Sequence, residues 1–147
     1  YPASRILTNR RMDTLNQFGA LVTNGQEELA ALAYLVTMRF ARANRDAIAA
    51  HGAYYRTLAE ALVREFPDLL AALEGDGLMT TFVFRRGDDA LEFSRRMNAS
   101  GIDVSAQSYK ADCPPVALTK LPLITTPAMI DEIVGRMRRI LNQIKQA

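Results

Sequence analysis

The run from Gln26 to about Arg42 has the length and composition of a helix but lacks a polar face. Leu29, Leu32, Ala33, Leu35, Val36, Met38 and Phe40 do not fall on one stripe; they cover most of the circumference. A helix that is apolar nearly all round has to be buried on more than one side. With 147 residues the chain can build one domain, or one domain and a piece of another. That leaves little to cover both sides of such a helix, so a partner subunit or a further domain is expected to cover one. The opening Tyr1-Pro2-Ala3-Ser4, with no initiator methionine, adds the expectation that these residues are a segment of a longer protein.

A second helix is predicted from about Arg45 to Glu65, with Asn44 as N-cap and Pro67 ending it. Ala49, Ala53, Leu58, Leu62 and Val63 suit its one-sided stripe. The junction near Arg42–Asn44 is the expected domain boundary. Before it, residues 5–16 read as a short strand or a turn of helix, and 17–25 as a loop.

Beyond it the pattern is mixed. Residues 69–73 and 77–84 are strand candidates, separated by a turn at Glu74-Gly75-Asp76. Asp88 or Asp89 can cap a helix running to about Ala99, which Gly101 stops. The segment Ile102–Ser105 starts another strand. Residues 106–114 read as a loop, and 116–121 as a further strand. Thr126-Pro127 is an N-cap followed by proline at the first helical position. The helix after it has the cleanest period in the chain: Ile130, Ile133, Val134, Met137, Ile140, Leu141 and Ile144. Burying those side chains is worth roughly 10–20 kcal/mol before chain entropy is subtracted. Arg136, Arg138, Arg139 and Lys145 are left for solvent and for the helix C-terminus. Residues 68–147 are therefore expected to form an α+β unit, a short, largely antiparallel sheet with helices on one face.

Composition limits the function classes. A hydrophobic fraction of 49% with 23% charge is that of a globular chain, not a disordered one. A net charge of +2, on scattered basic residues, gives no argument for nucleic acid or a membrane as partner. Cys113 is the only cysteine, which rules out an intrachain disulfide and suits a reducing, cytoplasmic setting.

No nucleophile–base pair stands out. His51 lies inside a helix and Cys113 in a loop before two prolines, contexts that suit a surface histidine and a loop thiol. Glu27-Glu28 sits in a first helical turn, where acids complement the helix dipole, and Asp88-Asp89 and Asp131-Glu132 are read as acids near helix starts. There is no P-loop, no GxGxxG, no HExxH and no metal-spaced histidine pair. Thr23-Asn24-Gly25 differs. Small polar residues just before a long helix offer hydroxyl and N–H groups at the positive dipole end, where a phosphate binds well. A plain N-cap accounts for them equally.

The order of these elements resembles the C-terminal third of class III aminotransferases, fold type I enzymes dependent on pyridoxal phosphate. The resemblance covers essentially the whole chain. It is carried by YPAS at Tyr1, by ALVTNGQEELAALAYLV from Ala20, by GDGLMTTFVF from Gly75 and by VALTKLPLITTPAMIDEIVGRM from Val116. In that family a YPAS-like segment follows shortly after the lysine that forms the Schiff base. The threonine- and glycine-containing loop reaches the cofactor phosphate of the neighbouring subunit. The resemblance thus implies a homodimer in which residues 1–43 end the large domain and 44–147 form an interdomain helix and the small domain. It implies Thr23 and Asn24 as cofactor contacts and a Schiff-base lysine upstream of Tyr1. It also implies a segment without catalytic residues of its own, inactive alone, whose parent moves an amino group from a small-molecule donor to a keto or aldehyde acceptor. The chain departs from the family at the last strand. Where a forked arginine usually grips the substrate carboxylate, this sequence has Leu118. Lys120 lies two residues on, on the same strand face, and could supply an unforked charge. The alternative reading of the residues is a non-enzymatic α+β module that binds a ligand or dimerises.

Overall fold

The computed structural model describes residues 9–12, 28–107 and 113–146. Its elements in chain order are helices α1 (Glu28–Ala43) and α2 (Arg45–Glu65), strands β1 (Leu70–Asp76) and β2 (Met79–Phe84), helix α3 (Gly87–Ala99), strands β3 (Val104–Gln107) and β4 (Val116–Lys120), and helix α4 (Pro127–Lys145). The chain divides after Asn44 into two compact units. The strand or helical turn expected within 5–16, and the loop 17–25, lie wholly or mostly outside the described residues. So does most of the 106–114 loop.

In the first unit, α1 has the expected helical form and buries none of its residues. Leu29 and Leu32 are more than half exposed, at 57% and 55%, and Val36 and Met38 are comparable. Asn44 does not cap α2. Its backbone N–H and its side-chain amide both donate to the Phe40 carbonyl, at 3.0 and 2.9 Å. An N-cap has to accept from the next helix; the Asn44 amide is used as a donor that closes α1 instead.

The second unit is organised by α4. Thr126 Oγ1 accepts the Met129 N–H at 3.3 Å, and Pro127 takes the first helical position. Ile130, Val134, Met137, Ile140, Leu141 and Ile144 are buried, with Ile133 packed partly buried against the core. The seven-residue stripe thus lies on the core side of the helix.

Helix α2 keeps its expected bounds but turns a different face inward. Gly52, Tyr55, Ala59 and Leu62 are buried and Leu58 and Val63 partly so, while Ala49 and Ala53 are exposed. The reason is local. A Cβ on Gly52 would sit 2.8 Å from Gly77 Cα, so the bare glycine lets α2 press against the hairpin between β1 and β2. Tyr55 enters the core because its hydroxyl finds polar partners there.

The hairpin turn lies at Gly77-Leu78, not at Glu74-Gly75-Asp76, all of which belong to β1. Asp76 Oδ1 accepts the Gly77 N–H at 2.7 Å, and Gly77 has φ +57°. Gly75 opposes Thr80 at φ +89°, and any Cβ there would meet the Met79 carbonyl at 2.5 Å. A strand-interior glycine of this kind marks close backbone approach rather than a turn.

Neither Asp88 nor Asp89 caps α3. The cap position is Arg86, without a side-chain bond, and both acids stand in the first turn, where the dipole favours them. Gly101 stops the helix at φ +85°. Asn98 then clasps Val104, donating to its carbonyl at 2.9 Å and accepting its N–H at 3.2 Å. That clasp starts β3 at Val104, two residues later than expected.

The four strands form an antiparallel sheet in the order β1-β2-β4-β3. Alternation sends Leu70, Thr80, Phe82, Phe84, Val104, Ala117 and Thr119 toward α2, α3 and α4, all buried. Phe93 of α3 meets Phe84 at a ring separation of 5.4 Å and Phe82 at 6.2 Å, tying the helix layer to the sheet. The expected α+β unit, an antiparallel sheet with helices on one face, is the fold observed.

Candidate functional site

Strand β4 lies inside the sheet between β2 and β3, so its two faces meet different surroundings. Ala117 and Thr119 go into the core, and Leu118 and Lys120 take the other face. Leu118 is half-buried, opposite Thr81 of β2 and Ser105 of β3; Thr81 in turn opposes Glu74 of β1. Leu118 therefore sits in the middle of a four-residue cross-strand row that carries one charge, the carboxylate of Glu74. Lys120 is exposed opposite Met79, in no ion pair among the described residues. It also borders a concavity of about 740 Å³ between the start of β3, the end of β4 and the first half of α4. Ile102, Leu121, Met129 and Ile133 give that concavity an apolar lining.

Behind β4 the core holds a polar feature that no linear pattern announces. The hydroxyls of Tyr55, Thr80 and Thr119 meet there, all three residues buried. Thr80 Oγ1 and Thr119 Oγ1 also lie 3.0 Å apart, and in one of the consistent assignments of the protons that contact carries no hydrogen. In that assignment Thr80 donates to the Tyr55 oxygen at 3.1 Å, and Thr119 donates to the Thr80 carbonyl at 3.1 Å. Tyr55 then gives its proton to Thr119 Oγ1 at 2.7 Å. Burial pushes the Tyr55 hydroxyl above the usual phenol range, although its two threonine partners pull the other way. The group is neutral at physiological pH, and its role is to let polar side chains lie beneath the β4 wall without an unmet hydrogen bond.

The other perturbed groups are on the helix surfaces. Hydrogen bonds from Arg95 and Arg96 hold Glu92 down at about 2. Arg136 holds Glu132 below the usual carboxylate range. A hydrogen bond to Asp131, at 2.6 Å, raises the Tyr54 hydroxyl. Of these, Glu132 borders the same concavity as Lys120, together with its partner Arg136.

Of the expected site residues, Leu118 and Lys120 stand together on one strand face. Thr23 and Asn24 lie outside the described residues. His51 is half-buried on α2 and Cys113 is exposed before β4. Among the described residues no group of three or more histidines, cysteines or acids is arranged to hold a metal. Lys145 pairs with Asp68 at 3.2 Å at the end of α4, and Lys120 stands exposed on the sheet face.

No family model and no curated protein matches the chain. Solved structures do share its fold. Lysine aminotransferase from M. tuberculosis in the internal aldimine form is 21% identical with a TM-score of 0.66, over 79% of this chain and 26% of that one. A Bacillus anthracis aminotransferase is 18% identical with a TM-score of 0.66, over 87% and 30%. The 8-amino-7-oxononanoate synthase of Francisella tularensis is 17% identical at 0.56, over 80% and 32%. This chain spans about a quarter to a third of the structures it matches. The fold anticipated from the resemblance to aminotransferases is thus the fold it has. A synthase carries the same fold, so architecture alone does not select the reaction.

Proposed function

We propose that these residues are the C-terminal segment of a pyridoxal-phosphate-dependent aminotransferase of class III. The observation that carries the reading is the match in fold, over most of this chain, to less than a third of two aminotransferase chains. The apolar exposure of α1 supports it, because a helix of that kind requires a cover. In this reading α1 belongs to the end of the large domain and to the dimer surface, and residues 44–147 form the interdomain helix and small domain. Thr23 and Asn24, ahead of α1, contact the cofactor phosphate of the neighbouring subunit. The anchoring lysine belongs to the part of the enzyme outside these residues, so the segment alone is inactive. The enzyme works in the cytoplasm.

When bound, the cofactor supplies the electron sink that amino-group transfer needs. The segment's own contribution is positioning. Leu118 and its neighbours Thr81 and Ser105 form a neutral stretch of substrate wall. Lys120 holds the carboxylate of the donor or acceptor as a point charge, with less orientation than a planar guanidinium would give.

The test uses the product of the longest reading frame that contains these residues. Pyridoxal phosphate is expected to give a visible absorption band, and an amino donor is expected to bleach it. The 147 residues alone are expected to give no such band. K120Q is expected to raise KM for carboxylated substrates about tenfold with little change in kcat. Absence of any band in the longer protein sinks the proposal. An indifferent K120Q removes only the role given to Lys120.

A further inference from the structure

Arg96 of α3 and Arg136 and Arg139 of α4 border one concavity of about 410 Å³, together with Ser100 and Gln143 and with Ile140 beneath them. No acidic residue borders it. The nearby carboxylates hold the arginines from elsewhere. Glu92 accepts from Arg96 Nε at 2.5 Å, and Glu132 accepts from Arg136 Nε at 2.6 Å. A second bond fixes each guanidinium: Arg96 Nη1 donates to Gln143 Oε1 at 3.1 Å, and Arg136 Nη1 donates to the Ser100 carbonyl at 2.6 Å. A planar group pinned at Nε and Nη1 has its three remaining donors, the second of Nη1 and the two of Nη2, held in set directions. Arg139 is freer, 63% exposed with only a 3.7 Å approach to Glu132. Arg95 shares Glu92 with Arg96, so the cluster sets four cations against two acids. Three of the four cations border the hollow, which has donors and no carboxylate.

We propose that this hollow binds a small dianionic oxyanion of the phosphate-monoester class. Three guanidinium groups from two helices match a tetrahedral group that offers several acceptor oxygens, whereas a carboxylate would occupy one fork. Two of the three are already fixed by protein partners, so little side-chain ordering remains for the ligand to impose. Gln143, whose oxygen is taken by Arg96, keeps its amide N–H groups for the same ligand. The site is built by residues of the second unit alone and does not depend on the aminotransferase reading.

The test titrates the 147-residue chain with inorganic phosphate at constant ionic strength, following the arginine Nε–Hε resonances by NMR. Saturable shifts are expected at Arg96, Arg136 and Arg139, and glycerol 3-phosphate is expected to displace the ion from the same residues. R139Q, a change at a mostly exposed position, is expected to weaken binding about tenfold. R138Q is expected to leave it unchanged, since Arg138 pairs with Glu65 and does not border the hollow. Shifts that never saturate, or that R138Q reduces as much as R139Q, would mean general charge screening and overturn the proposal. Binding to phosphatidic acid vesicles without binding to either free phosphate would overturn it too, in favour of a membrane surface.

Discussion

Helices α1 and α4 are both rich in large apolar side chains, yet α4 buries six of its residues and α1 buries none. Amount of apolar surface is not the difference; its angular distribution is. In α4 the isoleucines, valine, leucine and methionine recur at three and four residues, so one face meets the sheet and the arginines occupy the rest. In α1, Leu29, Leu32, Val36 and Phe40 share one stripe while Leu35 and Met38 lie well off it, so one packing surface cannot take them all. A stripe can be satisfied inside a chain. An apolar cylinder needs neighbours on more than one side, and this requirement ties the comparison to assembly.

Truncating the α4 stripe should have the largest effect on stability. Met137→Ala removes a fully buried side chain and is expected to cost about 2–5 kcal/mol in urea denaturation. The equivalent change in α1, Leu32→Ala, should stay within about 0.5 kcal/mol in the isolated chain. Equal costs at the two positions would break the contrast. Gly52→Ala comes next. Alanine gains about 1 kcal/mol of helix propensity over glycine, but its Cβ would run into the Gly77 backbone. A net loss of about 1–3 kcal/mol is expected from the forced shift; a gain would show that α2 does not press on the hairpin.

Tyr55→Phe should cost about 0.5–1.5 kcal/mol, because it removes the hydroxyl that both threonines contact and leaves them only each other and the Thr80 carbonyl in a dry place. The smallest effect is at Glu92, on the surface. Its folded-state pKa, about 2, lies below the ordinary value of 4.5. The stabilisation it brings is therefore fully present above the ordinary value and is lost as pH falls from about 4.5 toward about 2. A melting comparison with Glu92→Gln should show a small difference at neutral pH that shrinks through that window. A difference that grows on acidification would reverse the assignment.

Where a feature depends on one element's own period or cap, the sequence was enough to find it. The α4 stripe, the Thr126-Pro127 start and the common face of Leu118 and Lys120 all belong to this kind. Features set by a second element were hidden. Asn44 reads as a cap until its amide is seen turned back onto Phe40. Ala49 and Ala53 fit a stripe, but Gly52 against Gly77 and the Tyr55 hydroxyl among threonines rotate α2 away from them. Gly75 has the composition of a turn, yet it stands inside β1 at positive φ, where the β2 backbone approaches closely. The Arg96–Arg136–Arg139 hollow joins residues forty positions apart on two helices, and neither helix shows it alone. The α1 surface was visible from the start as an excess of apolar residues, and the structure gives that excess its exposed form.

The measurement that bears most directly on the requirement for a cover is sedimentation velocity on the 147-residue chain across a range of concentrations. Association that increases with concentration is expected, and the double change L32E and V36E on α1 is expected to abolish it while leaving the urea unfolding of the second unit intact. A monodisperse monomer at every concentration, with α1 unaltered, would contradict the assignment of that helix to an interface.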